Sequence, residues 1–207
     1  MAGGDGGREL ADRRVEAQLD RRAVVGALLQ ERAGLLAVSG LGSPSYDVMA
    51  AGDDPKNFYL WAAMGGAATL GLGLALARSR DPVVAITGDG EQLMGLGALA
   101  TVAAARPKNF SLVVLDNRRY GETGMQPSHT AYGCDLVGMA AAAGFSWSVS
   151  VTGSSELADL RARLHADEGP GFASILVKAD MVPRVLPPRD GVEIKNRFRR
   201  ALGFSTI

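Results

Sequence analysis

Short apolar or β-branched runs recur along the chain: LLAV at 35–38, FYLW at 58–61, VVAIT at 83–87, SLVVL at 111–115, SWSVSV at 146–151 and FASILV at 172–177. Each has the length and composition of a strand. Between most of them lie stretches of helical composition, at 64–77, 91–105, 135–143 and 154–166, the last opened by Ser154 or Ser155 as N-cap. Ahead of them, residues 8–32 place Leu10, Val15, Leu19, Val24, Ala27 and Leu28 at helix-compatible spacing among charges, with Gly34 as the stop, which predicts an amphipathic helix. Strand alternating with helix predicts an α/β fold, a doubly wound and mostly parallel sheet with helices on both faces, because parallel strands need crossovers and the crossovers cover the sheet. The expected organisation is an N-terminal extension and helix over 1–32, a binding domain over 33–180 and a basic arm with a short helix over 181–207. In that arm Arg184, Arg189, Lys195, Arg197, Arg199 and Arg200 face only two acids. Docking onto a partner subunit or an anionic ligand would use them; a solvated tail is the plainer reading and the one preferred.

Composition narrows the function. With 22 basic and 22 acidic residues in 207, the chain has no global electrostatic footprint for nucleic acid or an anionic membrane. The single cysteine, Cys134, excludes a disulfide framework and a four-thiolate metal site, and two histidines exclude most imidazole-rich ones, so any metal must be held mainly by oxygen. The 27 glycines are about twice the usual share, which calls for close backbone approach somewhere. Leu60 to Ala77 carries no charge over 18 residues, but its glycines weaken a spanning helix, and a tightly packed core helix is expected instead. The start of the chain does not read as a secretory signal, so a cytoplasmic location is expected.

In an open parallel sheet, ligands bind outside the carboxyl ends of the strands. The run 83–87 ends in Gly88-Asp89-Gly90 and then enters a helix. Two glycines and a helix N-terminus form a cradle for phosphate, yet Asp89 puts a carboxylate in it, so a hard cation, with Mg²⁺ the usual choice, should sit between the two anions. One crossover later, 28 positions beyond Asp89, the next strand delivers Asn117 to the same edge of the sheet. Asn117 would offer its side-chain oxygen, and Arg119 a backbone carbonyl. A Gly-Asp-Gly alone also makes ordinary turns; its placement after a buried strand, with Asn117 after the next, is what gives it weight.

At these residues the chain resembles thiamine-diphosphate enzymes. GDGEQLMGLGALATV and VVLDNRRYGETGMQPSH are similar to the diphosphate-binding domain of sulfopyruvate and phosphonopyruvate decarboxylases, over about residues 35–180. Where that family has a paired Asn motif, Asp116 replaces the first Asn and Asn117 keeps the second. The resemblance implies thiamine diphosphate and Mg²⁺ as cofactors, with Asp89, Asn117 and the Arg119 carbonyl on the metal. It implies that Ser39, Gly40 and Gly42 receive the diphosphate, assisted by Gly88, Gly90, Glu91, Tyr120 and Gly121 through backbone groups. The Ala62 carbonyl would accept from the cofactor's amino group, and Met64 would wedge under the cofactor to hold it bent. The stretch 121–129 is expected to be a mobile lid; His129 either meets the substrate or is an exposed loop residue, and Cys134 reads as buried packing rather than a nucleophile.

The family also needs a Glu hydrogen-bonded to the cofactor's pyrimidine, and Glu91 and Glu122 belong to the diphosphate end. The expectation is therefore a β-type subunit that completes its site with a separate pyrimidine-domain α subunit, in an α2β2 or larger hetero-oligomer. The implied reaction is decarboxylation of a small 2-oxo acid, with the cofactor as electron sink and an aldehyde as product. A carboligating half-enzyme and a non-catalytic cofactor-holding scaffold are the alternatives. A 2-oxoacid:ferredoxin oxidoreductase subunit would bring cluster-ligating cysteines, and the glycine-rich run after FYLW lacks the G-x-G-x-x-G of a dinucleotide site.

Overall fold

The structure is a computed structural model that describes residue 17 and residues 19–205. All six expected strand runs form one sheet: β1 (Leu36–Ser39), β2 (Asn57–Tyr59), β3 (Val83–Gly88), β4 (Phe110–Asp116), β7 (Trp147–Val151) and β8 (Gly171–Leu176). A two-residue ribbon, β5 (Arg119–Tyr120) with β6 (Gln126–Pro127), stands apart. The sheet order is β2-β1-β3-β4-β8-β7, every pair parallel. Because the chain leaves β1 for β2 on one side and returns to β3 on the other, the order reverses between β1 and β3, and a crevice opens at their carboxyl ends.

Helices α1 (Arg21–Leu29), α2 (Ser43–Ala50) and α7 (Leu157–Leu164) cover one face of the sheet. On the other lie α3 (Ala67–Ala77), α5 (Ala98–Ala105) and α6 (Leu136–Ala143), while α4 (Asp89–Met94) follows β3 at the crevice and α8 (Gly191–Ala201) packs on the β2 edge, with Ile194 in the first layer and Phe198 in the second. Strand alternation divides the core accordingly: in β3, Val84 and Ile86 join the first layer and Val83 and Ala85 the second. The doubly wound α/β fold expected from the pattern is the observed one.

Several boundaries differ from expectation, each for a local reason. The helix expected over 8–32 is formed over Arg21–Leu29 only, started by the Asp20 side chain accepting from Ala23 N. Leu19 is not on it but pairs with Val177 as an isolated parallel bridge, and 8–16 and 18 lie outside the described residues. The helix expected from 64 begins at Ala67, because Ala62 (φ 59°) and Gly65 (φ 92°) make a turn first. At 11 residues it is no span, and no helix among the described residues is long and apolar enough to cross a membrane. The stretch 91–105 divides into α4 and α5 at Gly95, where a side chain would meet the Gly65 carbonyl oxygen at 2.3 Å. Before α7 it is the Glu156 carboxylate, not Ser154 or Ser155, that caps, accepting from Thr152 N and Gly153 N. Helix α2 was not expected at all. The arm is not a solvated tail: α8 buries Ile194 and Phe198, the latter edge-on to Phe58, and Trp61 donates to the Pro188 carbonyl.

Candidate functional site

A cavity of about 200 Å³ opens at the carboxyl edge, where β3 and β4 end. Gly88, Asp89, Gly90 and Glu91 enter it from β3 and α4, and Asn117, Arg119, Tyr120 and Gly121 from the segment after β4. Met64 stands on its wall from the turn before α3. The crossover between the parallel neighbours β3 and β4 thus brings Asp89 and Asn117 to one cavity, as their spacing predicts.

Asp89 is 2 % exposed, and its Oδ2 accepts from Ser128 Oγ at 2.5 Å and from Thr130 Oγ1 at 3.3 Å. Both hydroxyls use the same oxygen, leaving Oδ1 clear of side-chain donors. The same Thr130 Oγ1 lies 2.8 Å from Asp116 Oδ1, so the two carboxylates share its single proton, the shorter contact being to Asp116. Burial, then the charge of Asp116, push the Asp89 pKa up to about 6, against the two hydroxyls that favour the anion. A divalent cation would relieve that crowding of negative charge. Asn117 Oδ1 accepts from Arg119 N at 2.9 Å and keeps a second lone pair for a metal. Among the described residues no three His, Cys, Asp or Glu side chains gather, so a cation here must draw on amide, carbonyl and ligand oxygens, a donor set that suits Mg²⁺. At Gly90 a side chain would lie 2.8 Å from the Tyr120 ring, so the Tyr120 side chain roofs a backbone that only glycine allows to come so close.

The remaining expected residues fall in different places. Ser39 is buried, its hydroxyl 2.8 Å from that of Ser45, which in turn donates to the Gly40 carbonyl. Ser39, Gly40 and Gly42 therefore shape the β1 loop from behind, while Leu41 and Ser43 face the cavity. Glu91, expected to help through its backbone, instead sends its side chain inward: it is 3 % exposed and Oε1 accepts from Gly65 N at 3.3 Å. Its Oε2 stands where a Gly40 side chain would be, at 1.8 Å, so Gly40 must be glycine while Glu91 keeps this pose. Burial pushes the Glu91 pKa up, opposed by the Thr87 hydroxyl and by N–H groups of Gly65, Ala67 and Leu41. This carboxylate braces the β1 loop against the turn at 62–66. Ala62 is exposed on that turn, outside the cavity lining.

The expected lid has structure of its own, a 3₁₀ turn at Gly121–Thr123 that joins the two strands of the β5–β6 ribbon, and fully buried Ser128 anchors its far end. His129 is exposed but not idle, since its Nδ1 is 2.6 Å from Tyr120 Oη. Cys134 is partly buried against the second core layer, and burial raises its thiol pKa, as fits packing. Ser128 and Thr130 were missed by sequence reasoning. The serine and threonine stand in PSHT, which carries no motif signal, and only the folded loop returns them to Asp89.

Residues 49–175 match the family described as thiamine pyrophosphate enzyme, C-terminal TPP binding domain, and the chain belongs to that family. Within it, the chain is 35 % identical over 190 residues to sulfopyruvate decarboxylase subunit beta of Methanococcus maripaludis, which covers 89 % of this chain and 98 % of that one. It is 38 % identical over 167 residues to phosphonopyruvate decarboxylase of Streptomyces viridochromogenes, covering 78 % of this chain but 41 % of that longer protein. Among solved structures, a putative thiamin diphosphate-dependent enzyme from Mycobacterium smegmatis superposes with a TM-score of 0.64 at 23 % identity, over 79 % of this chain and 32 % of that one. Benzoylformate decarboxylase from Polynucleobacter necessarius gives 0.63 at 20 % identity, over 82 % and 36 %. These two likenesses concern the fold.

Proposed function

We propose that this chain is the β-type subunit of a heteromeric thiamine-diphosphate-dependent decarboxylase of small 2-oxo acids, of the sulfopyruvate or phosphonopyruvate kind. The observation that carries the reading is the joint placement of Asp89, Asn117 and Gly90 on one cavity at the switch point of the sheet, while the chain's nearby carboxylates are committed elsewhere. Glu91 is held by Gly65 N, and Glu122 by Arg184 Nη2 at 3.0 Å. Both lie at the diphosphate end and are turned to these partners, which supports assigning the pyrimidine-facing Glu to an α subunit. The similarity to subunits named beta supports the same division.

When bound, the cofactor supplies an electron sink for the carboxylate electrons of the substrate. This chain's residues hold and orient. Asp89 and Asn117 take Mg²⁺, Ser128 and Thr130 aim the Asp89 carboxylate, and Gly90 under Tyr120 lets backbone N–H groups approach phosphate oxygens. Met64, 39 % exposed, offers a soft apolar side chain for the middle of the cofactor to rest against. Tyr120 and His129 form a coupled pair at the mouth, where a proton on one ring is held at the other's heteroatom. The test is CO₂ release from a panel of 2-oxo acids by the chain mixed with the α candidate, with Mg²⁺ and thiamine diphosphate. Release that needs both chains is expected; full release by this chain alone would overturn the division of labour.

A further inference from the structure

Arg21, the first residue of α1, is 8 % exposed, and its side chain reaches the wall of the cavity beside Ser43, Gly88 and Asn117. Its Nε lies 3.1 Å from Asp47 Oδ2, and Arg22 Nε lies 3.4 Å from Oδ1 of the same carboxylate. Asp47 is wholly buried. Two guanidinium groups on one carboxylate leave one positive charge over. Arg22 also donates from Nη2 to the Pro183 carbonyl and is not on the cavity wall, so of the two cations it is Arg21 that faces the cavity. Arg21 Nε has no aligned hydrogen-bond partner among the described residues. A buried guanidinium in surplus over its carboxylate is costly unless an anion meets it.

The cavity also has a charge problem that one cation does not solve. Asp89 and Asp116 already face each other across Thr130, and a diphosphate adds further negative charge. Resting on the thiamine-diphosphate reading above, we infer that Arg21 binds the terminal phosphate of the cofactor's diphosphate, making the start of α1 a fourth wall of the cradle beside the ends of β1, β3 and β4. The planar fork of guanidinium suits two phosphate oxygens, which an ammonium group does not match.

The experiment titrates inorganic pyrophosphate, and separately thiamine diphosphate, into the full chain with Mg²⁺. Arg21→Gln weakens both ligands about ten- to a hundredfold, the range for a lost charge-assisted hydrogen bond or two. Arg21→Lys falls between. Arg22→Gln, which takes a cation from the same carboxylate but none from the cavity wall, weakens both ligands clearly less than Arg21→Gln does. If Arg21→Gln leaves Asp47 unpaired and the chain unfolds, the double variant Arg21→Gln, Asp47→Asn removes both charges, and its affinity gives the same reading. Wild-type affinity in a folded Arg21→Gln chain, or an equal loss in Arg22→Gln, would reduce Arg21 to an ion-pair partner and overturn the inference while leaving the thiamine reading intact. No Mg²⁺-dependent binding of either ligand by the wild type would overturn the thiamine reading itself.

Discussion

The two ends of the cavity are built differently. At the β3–β4 end, Asp89 is buried, its carboxylate is fixed by two hydroxyls, and the glycine beside it is roofed by a tyrosine. At the other, Met64 lies exposed on the cavity wall, on a turn that carries exposed Ala62 and Ala63 beyond the lining and that is braced from below by Glu91 and by contact of Gly65 with Gly95. A polar group buried this deeply is normally tolerated where every partner is in place or where a ligand completes it. Exposed apolar side chains on a rigid turn are the mark of a surface meant for something else. The contrast fits the proposed division, in which one end of the site is finished within this chain and the other is completed by a second chain.

The sharpest way to break that contrast is at the finished end. Asp89→Ala removes the carboxylate that ties cation to protein, and Mg²⁺-dependent affinity for thiamine diphosphate should fall more than about a hundredfold in calorimetry. Unchanged affinity would show that the cation is held elsewhere.

Acid should have a nearly equal effect. The Asp89 pKa stands at about 6 in the folded protein, above its ordinary 3.8, so the proton must leave before a metal can bind. Mg²⁺-dependent affinity should hold above pH 6 and decline below it. Without metal the sign is opposite: a raised pKa means that the folded state favours the proton, so this group's stabilising contribution is present below about pH 4 and lost as pH rises through about 6. Asp89→Asn should therefore raise Tm at neutral pH in chelator by a few degrees while abolishing the metal response. A lower Tm would contradict the picture of a carboxylate held under strain for a cation.

Ser128→Ala leaves Asp89 with one donor and should weaken the Mg²⁺-dependent step by about tenfold, the usual scale for losing a group that orients a ligand. The smallest effect on binding is expected at the open end. Met64→Ala touches an exposed side chain, so stability and pyrophosphate affinity should stay within about twofold, whereas turnover of the two-chain complex should drop. If turnover is unchanged, Met64 is only part of the surface.

The hydrophobic pattern was enough to place all six sheet strands: β1, β3, β4 and β8 are buried on both faces and read as apolar runs, while the edge strand β7 shows itself by alternating serine with apolar residues. Helix α2 was invisible for the opposite reason: SPSYDVMA is short, polar and started by Pro44, and it is helical because its buried face packs beneath α1. The break between α4 and α5 rests on Gly95 meeting Gly65, a contact between residues 30 apart that no local propensity reports. At the site, Asp89 and Asn117 were legible because a crossover of fixed hand brings successive strand ends to one edge. Glu91 was read as a backbone contributor, and its inward turn depends on the absence of a side chain at Gly40. Arg21 belonged to a charged helix whose solvated face hid one buried member.

The most direct measurement compares inorganic pyrophosphate with thiamine diphosphate, each titrated with Mg²⁺ into this chain alone and into its mixture with the α candidate. If the chain finishes one end of the site and leaves the other open, pyrophosphate binds equally well in both cases and thiamine diphosphate tightens sharply only in the mixture. Thiamine diphosphate binding at full strength to this chain alone, with no gain from the second chain, would contradict the account.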